Sequence, residues 1–172
     1  MNKMDIKMIC SFIATGKNIE HILHIIVNYE EYGYDPGEEV NGTTALICAC
    51  EHKQHMVANA LIKTGKSRPE CVNKHGSTAL MNACKQNMPD IAIQLIETGK
   101  SMPGQTDKNG FTALMYACRT KMHDVAICLI MTGESKPEYV NAFGQSALTY
   151  AHIKKIRYDV IEMLMEFMNQ DQ

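Results

Sequence analysis

The sequence predicts an all-α solenoid of paired antiparallel helices, one elongated domain over residues 1–172. Three observations predict it. Gly42, Gly76, Gly110 and Gly144 are each 34 residues apart, and so are the pairs Ala45-Leu46, Ala79-Leu80, Ala113-Leu114 and Ala147-Leu148. Within each period apolar residues recur at spacings of three and four, the stripe of an amphipathic helix. Two such stripes per period are separated by turn residues. A fixed period of this size marks stacked units, since a unit that cannot bury its stripe alone does so against a neighbour.

Residues 1–41 are predicted to form an N-terminal capping pair. Ile6, Ile9, Cys10 and Ile13 make one stripe, ending at Thr15-Gly16. Asn18 is predicted to cap a second helix carrying Ile19, Ile22, Leu23 and Ile26. Tyr29 to Gly37 is a turn-rich exit in which Asp35-Pro36-Gly37 is the sharpest turn signal.

Residues 42–75, 76–109 and 110–143 read as three full repeats, and the middle one shows the pattern. Ser77 or Thr78 caps the first helix through a side-chain oxygen. Leu80, Ala83 and Cys84 form its apolar face, and Asn87 ends it in the left-handed region. Pro89 suits the first turn of the second helix, where its missing N–H costs nothing. Ile91, Ala92, Leu95 and Ile96 make a wider stripe, closed by Gly99 as C-cap. Each connector is predicted to return as a short hairpin finger. Asn73, Asp107 and Asn141 are placed to brace those turns through local backbone bonds. The first connector is two residues shorter, so its finger is expected to be stunted.

Residues 144–172 read as a C-terminal capping pair. Val160, Met163, Leu164 and Phe167 are predicted to pack on the preceding repeat. Tyr158, Ile161, Met165 and Met168 lie on a neighbouring face, either as ordinary cap surface or as a self-association surface. The cap-like ends predict a complete array, whereas that second stripe points the other way.

The units G-x-T-A-L-x-x-A-C, followed by V/I-A-x-x-L-I-x-T-G, resemble the ankyrin repeat, with its G-x-T-P-L-H-x-A-A and later V-V-x-x-L-L-x-x-G-A. Ala45, Ala79, Ala113 and Ala147 stand where that family prefers proline. Ile47, Met81, Met115 and Thr149 stand where it prefers histidine. The period is one longer than the usual repeat of about 33 residues. Connectors of the T-G-K-S-x-P-E-x-V-N kind are similar to those of the ankyrin families encoded by giant DNA viruses of amoebae. The resemblance implies a protein–protein interaction scaffold whose partner lies along a concave groove of finger tips and first helices. It implies a host protein as partner if the chain is viral.

Composition excludes other classes. With 17 Lys and Arg against 19 Asp and Glu, net charge is −2, and no basic field is expected for nucleic acid or an anionic membrane. The seven cysteines are odd in number, and Cys50, Cys84 and Cys118 fall on the period at inward positions. They read as buried thiols of a reducing compartment, cytosol or nucleus. The N-terminus MNKMDIKMIC lacks the pattern of a secretory signal, and the apolar run from Ile22 to Val27 is too short to span a bilayer.

No residue set carries recognisable catalytic chemistry, so no enzyme activity, cofactor or metal is predicted. Gly65-Lys66-Ser67 and Gly99-Lys100-Ser101 end like a phosphate loop, but they follow a helix rather than open one. The third copy has Glu134 in place of lysine, and a helix C-terminus is the negative end of its dipole. His21-x-x-His24 and His52-x-x-His55 lack a third ligand at matching spacing. Mapped onto the groove implied by the family, the second repeat supplies His75, Ser77, Asn82, Lys85 and Gln86. The third supplies Lys108, Asn109, Phe111, Tyr116, Arg119 and Thr120. The last supplies Ala142, Phe143, Gln145, Tyr150 and Lys154, and the first Thr43, Cys48, Glu51 and His52. Phe111, Tyr116, Phe143 and Tyr150 are four of eleven Phe and Tyr in the chain, gathered with Arg119 toward one end. Aromatics with arginine are common interface anchors; Tyr116 and Tyr150 alternatively pack between neighbouring first helices.

Overall fold

A computed structural model describes residues 5–170, so the first four residues of the N-terminal stretch and Asp171-Gln172 lie outside the described part. The described residues form ten α-helices and one small hairpin. In order these are α1 (Ile6–Thr15), α2 (Ile19–Val27), β1 (Glu39–Val40), β2 (Thr43–Thr44), α3 (Ala45–Glu51) and α4 (His55–Lys63). Then come α5 (Ala79–Lys85), α6 (Pro89–Glu97), α7 (Ala113–Thr120), α8 (His123–Met131), α9 (Ala147–Lys154) and α10 (Tyr158–Gln170). Each odd helix packs against its even partner and against the next odd helix, and the even helices form a second stacked layer. The core is one continuous seam between the layers.

The same local chemistry builds each pair. Thr44, Thr78 and Thr112 are buried N-caps whose Oγ1 accepts the backbone N–H of Ile47, Met81 and Met115 at 3.2–3.3 Å. Ser146 caps α9 with a reciprocal bond to Thr149, completing a capping box. Between helices the chain takes one left-handed residue, Lys53, Asn87, Lys121 or Lys155. The next N–H then reaches back to Ala49, Ala83, Ala117 or Ala151 at 2.8–3.1 Å, a Schellman-type closure. The even helices end at Thr64, Thr98 and Thr132, whose Oγ1 donates to Leu61, Leu95 and Leu129 carbonyls at 2.6–2.7 Å. The G-K-S segments are these helix ends: Thr64 Oγ1 accepts the Lys66 N–H, and Ser67 and Ser101 are buried beneath the connectors.

The fingers behave differently from the expectation at one point. The first is indeed the shortest, yet it holds the two strands found among the described residues, with Val40 opposite Thr43 and Glu39 opposite Thr44. The reason lies in Asn41 and Gly42, at φ of 53° and 75°. Two consecutive positive-φ residues make the type I′ turn whose twist matches paired strands. The longer fingers close instead on a side chain. Asn73 Oδ1 accepts the N–H groups of His75 and Ser77 at 2.9 and 3.0 Å, and Asp107 and Asn141 repeat the arrangement. Adjacent fingers are joined, Lys108 N–H to the His75 carbonyl and Ala142 N–H to the Asn109 carbonyl, both at 3.0 Å.

At the last pair Val160 and Leu164 are fully buried, and Met163 and Phe167 pack partly buried against the core. Tyr158 and Met165 are exposed, and Ile161 is half-buried.

Candidate interaction surface

Finger tips and odd helices share one face. Residues 48, 82, 116 and 150 occupy one register on the odd helices, and residues 51, 85, 119 and 153 the next turn. At the first register the side chains are Cys48, Asn82, Tyr116 and Tyr150, all buried. At the second they are Glu51, Lys85, Arg119 and Ile153, of which Arg119 is half-buried and the rest exposed.

The aromatic residues do come together, but mostly inward. Phe111 stacks on Tyr116 with ring centroids 5.0 Å apart, lies 5.8 Å from Tyr150 and meets Phe143 edge-on at 6.1 Å. Phe111, Tyr116 and Tyr150 are 5–7% exposed, whereas Phe143 is 68% exposed. The first three are therefore the stacking layer between neighbouring pairs, and Phe143 is the ring presented to solvent. Both phenols are anchored. Tyr116 Oη–H donates to Asp107 Oδ2 at 2.7 Å, and burial with that carboxylate pushes its ionisation well above the usual range. Tyr150 Oη–H donates to Gln145 Oε1 and accepts from Asn141 Nδ2 at 3.2 Å.

Arg119 sits on this platform. Its guanidinium carbon is 4.7 Å from the Tyr116 centroid and 5.2 Å from that of Phe111, within cation–π range. His75, Lys85, Lys108, Asn109 and Ala142 are exposed, as are Glu51 and His52 at the first repeat. Thr43, Ser77, Gln86, Gln145 and Lys154 are half-buried. Thr120 turns backward, donating to the Cys84 carbonyl at 3.1 Å. Asn82 is 5% exposed, and its Nδ2 has no partner among the described residues.

Sequence reasoning missed the roles of Asp107 and Asn141 as tyrosine anchors. The signal was present: each lies nine residues before its tyrosine. It also passed over Lys74, which shares the register of Lys108 and is exposed.

Other motifs have structural roles. Lys66 Nζ lies 4.6 Å above the Tyr29 ring and 3.6 Å from Glu30. His21, His24, His52 and His55 are exposed, and no group of three or more His, Cys, Asp or Glu among the described residues is arranged to hold a metal. No described helix is long and apolar enough to cross a membrane. Cys50, Cys84 and Cys118 are fully buried; burial pushes the Cys50 and Cys118 thiols up to about 12, and that of Cys84 higher.

A search of curated proteins finds no match. The family model described as ankyrin repeats (3 copies) matches residues 8–104 and again residues 94–172. The two matches together take in nearly the whole array of helix pairs and fingers, and the chain belongs to the ankyrin repeat family.

Proposed function

We propose that this protein is a non-enzymatic scaffold that binds a partner protein on the face made by its finger tips and odd helices. Ankyrin repeats are in general protein–protein interaction modules. The observation that carries the reading is the platform of Phe111, Tyr116 and Tyr150, which holds Arg119 in place beside the exposed Phe143. A desolvated aromatic base with an arginine and a solvent-facing ring is the composition of an interface anchor. In this reading residues 42–75, 76–109 and 110–143 are full repeats, and 1–41 and 144–172 act as caps. Thr149 and His152 support the second cap, standing where Ile47, Met81 and Met115, and Cys50, Cys84 and Cys118, are buried. On the connector resemblance to giant-virus families, the partner is a host protein met in the host cytoplasm or nucleus.

The test is a photo-crosslinking residue at Asn109 or Ala142, with Met131 on an even helix as control. The finger positions are expected to capture a defined protein, and Phe143→Ser with Lys108→Glu to abolish capture. Equal capture from position 131 would reject the groove.

A second reading has its own observation. Ile161 and Met165 occupy the register of Ala126 and Ile130, which are 0% and 6% exposed beneath the following pair. Tyr158 and Met165 are 76% and 47% exposed, and Met168 continues the same stripe. We propose that two copies of the chain associate through this stripe. Light scattering over a dilution series is expected to show a concentration-dependent dimer that Ile161→Asp with Met165→Glu converts to monomer. A wild-type monomer at every concentration rejects it.

A further inference from the structure

From α5 to α9 the odd helices and finger tips carry an excess of basic side chains. Within α5, α7, α9 and the finger tips 73–77, 107–111 and 141–145 the basic side chains are Lys74, Lys85, Lys108, Arg119 and Lys154. The one carboxylate there is Asp107, and it is occupied. Its Oδ1 accepts two backbone N–H groups and its Oδ2 the Tyr116 hydroxyl. Asp90, Glu97, Asp124, Asp159, Glu162 and Glu166 lie on even helices, whereas at the first repeat the inner face carries Glu51 on α3 and the first finger Glu39. A net charge of −2 thus conceals a basic inner face from α5 to α9.

Those cations have no internal counter-charge. Among the described residues none of the five belongs to an ion pair, whereas Lys66, Arg68 and Arg157 each do. Arg119 is the most defined of them. Two rings hold its guanidinium within cation–π range, and among the described residues no carboxylate pairs with its N–H fork. A fork oriented in advance loses less freedom when it takes a bidentate carboxylate. Phe143, in contact with Phe111, supplies an apolar seat beside it.

We infer that the partner segment bound on this face is an acidic peptide. It places a carboxylate on Arg119, further carboxylates toward Lys85 and Lys108, and a large apolar side chain against Phe143. This rests on the reading of the face as a protein-binding groove and adds the chemistry of what it takes. A polyanion such as nucleic acid satisfies the cations, but five of them on a chain of net charge −2 make only a narrow basic field, which an acidic peptide with an apolar side chain fits better.

The experiment is a selection of random linear peptides on the immobilised full chain, repeated on an Arg119→Glu/Lys108→Glu variant whose helicity is first confirmed by circular dichroism. Wild type is expected to select sequences rich in Asp and Glu around an aromatic or large aliphatic residue. Their affinity is expected to weaken with added salt and to drop about tenfold or more on the variant. The charge-reversed variant is expected to select basic peptides instead. Neutral or basic peptides on wild type overturn the acidic partner; if Phe143→Ser still abolishes their capture, the groove itself stands. Peptides insensitive to both variants, or no selected peptide, count against groove and partner together. A single-stranded oligonucleotide that outcompetes the acidic peptides overturns the inference in favour of nucleic acid.

Discussion

Gly110 and Gly144 have the same backbone and different surroundings, which separates two costs usually measured together. Both take φ near +75°, where a Cβ strains any L-residue by about 1–2 kcal/mol. A Cβ at Gly110 would also lie 3.1 Å from Asn141 Cα in the next finger, whereas at Gly144 nothing lies within 4 Å. Gly144→Ala is expected to cost about 1 kcal/mol. Gly110→Ala is expected to cost at least about 1 kcal/mol more, because the following finger must shift along with its bond to Asn109. Urea denaturation of the two variants gives the difference directly. Equal losses would mean that finger contact contributes nothing to stability.

Helices α3, α5 and α7 each bury one cysteine at the same register, so the thiols of Cys50, Cys84 and Cys118 form a column along the inner layer. A small side chain is needed there because the odd helices pack close together. The sign of its pH dependence follows from burial. The folded thiols ionise near or above 12, against 9.0 for the free group. Below about pH 9 the thiols are neutral in both states and the stabilisation is complete. Above it the unfolded chain ionises first, so stability falls as pH rises toward 12, by about 1.4 kcal/mol per pH unit for each thiol. Cys118→Ala is therefore expected to lower stability at neutral pH and to remove one thiol's share of an alkaline slope to which Cys48, Cys71, Tyr34 and Tyr116, all pushed up, also contribute. The check is the urea midpoint followed from about pH 8 to about pH 10. An unchanged slope would show that this column does not govern the alkaline loss.

The whole array is a line of nearest-neighbour interfaces, and the leucines at one register report on each of them. Leu46, Leu80 and Leu114 are 0% exposed, each covered by the next pair, while Leu148 is half-buried. Leu114→Ala is expected to cost about 2–5 kcal/mol, as for a buried leucine whose cavity cannot fully collapse. Leu148→Ala is expected to cost about half as much or less, since part of its surface is already in water. Equal losses, measured by urea unfolding of dilute protein, would mean that something covers the α9 end, and a loss that grows with protein concentration would identify it as a second copy.

The sequence by itself determined the period, the pairing of helices and most caps; Asn18 is the exception, since at φ of 55° its side chain caps no N–H of α2. Thr78, Asn87, Gly99 and the finger braces Asn73, Asp107 and Asn141 act through bonds to residues no more than about four positions away, and Pro89 through its fixed φ at the first turn of α6, so their meaning is local. Local information also existed for the first finger. Asn41-Gly42 is a strong turn signal, but connector length was the wrong measure of it. Only the tertiary structure decided which of four aromatic residues meets solvent. Phe111 is covered by Tyr150 and Phe143 from the next repeat, and Phe143 is left open because no finger lies beyond it among the described residues. It likewise decided that Lys74, Lys85, Lys108, Arg119 and Lys154 share the odd-helix and finger-tip face, which a net charge cannot reveal. Burial and field at each position depend on a neighbour one period away in sequence. Chain-local pattern predicts that such a neighbour exists but not which side chains it will cover.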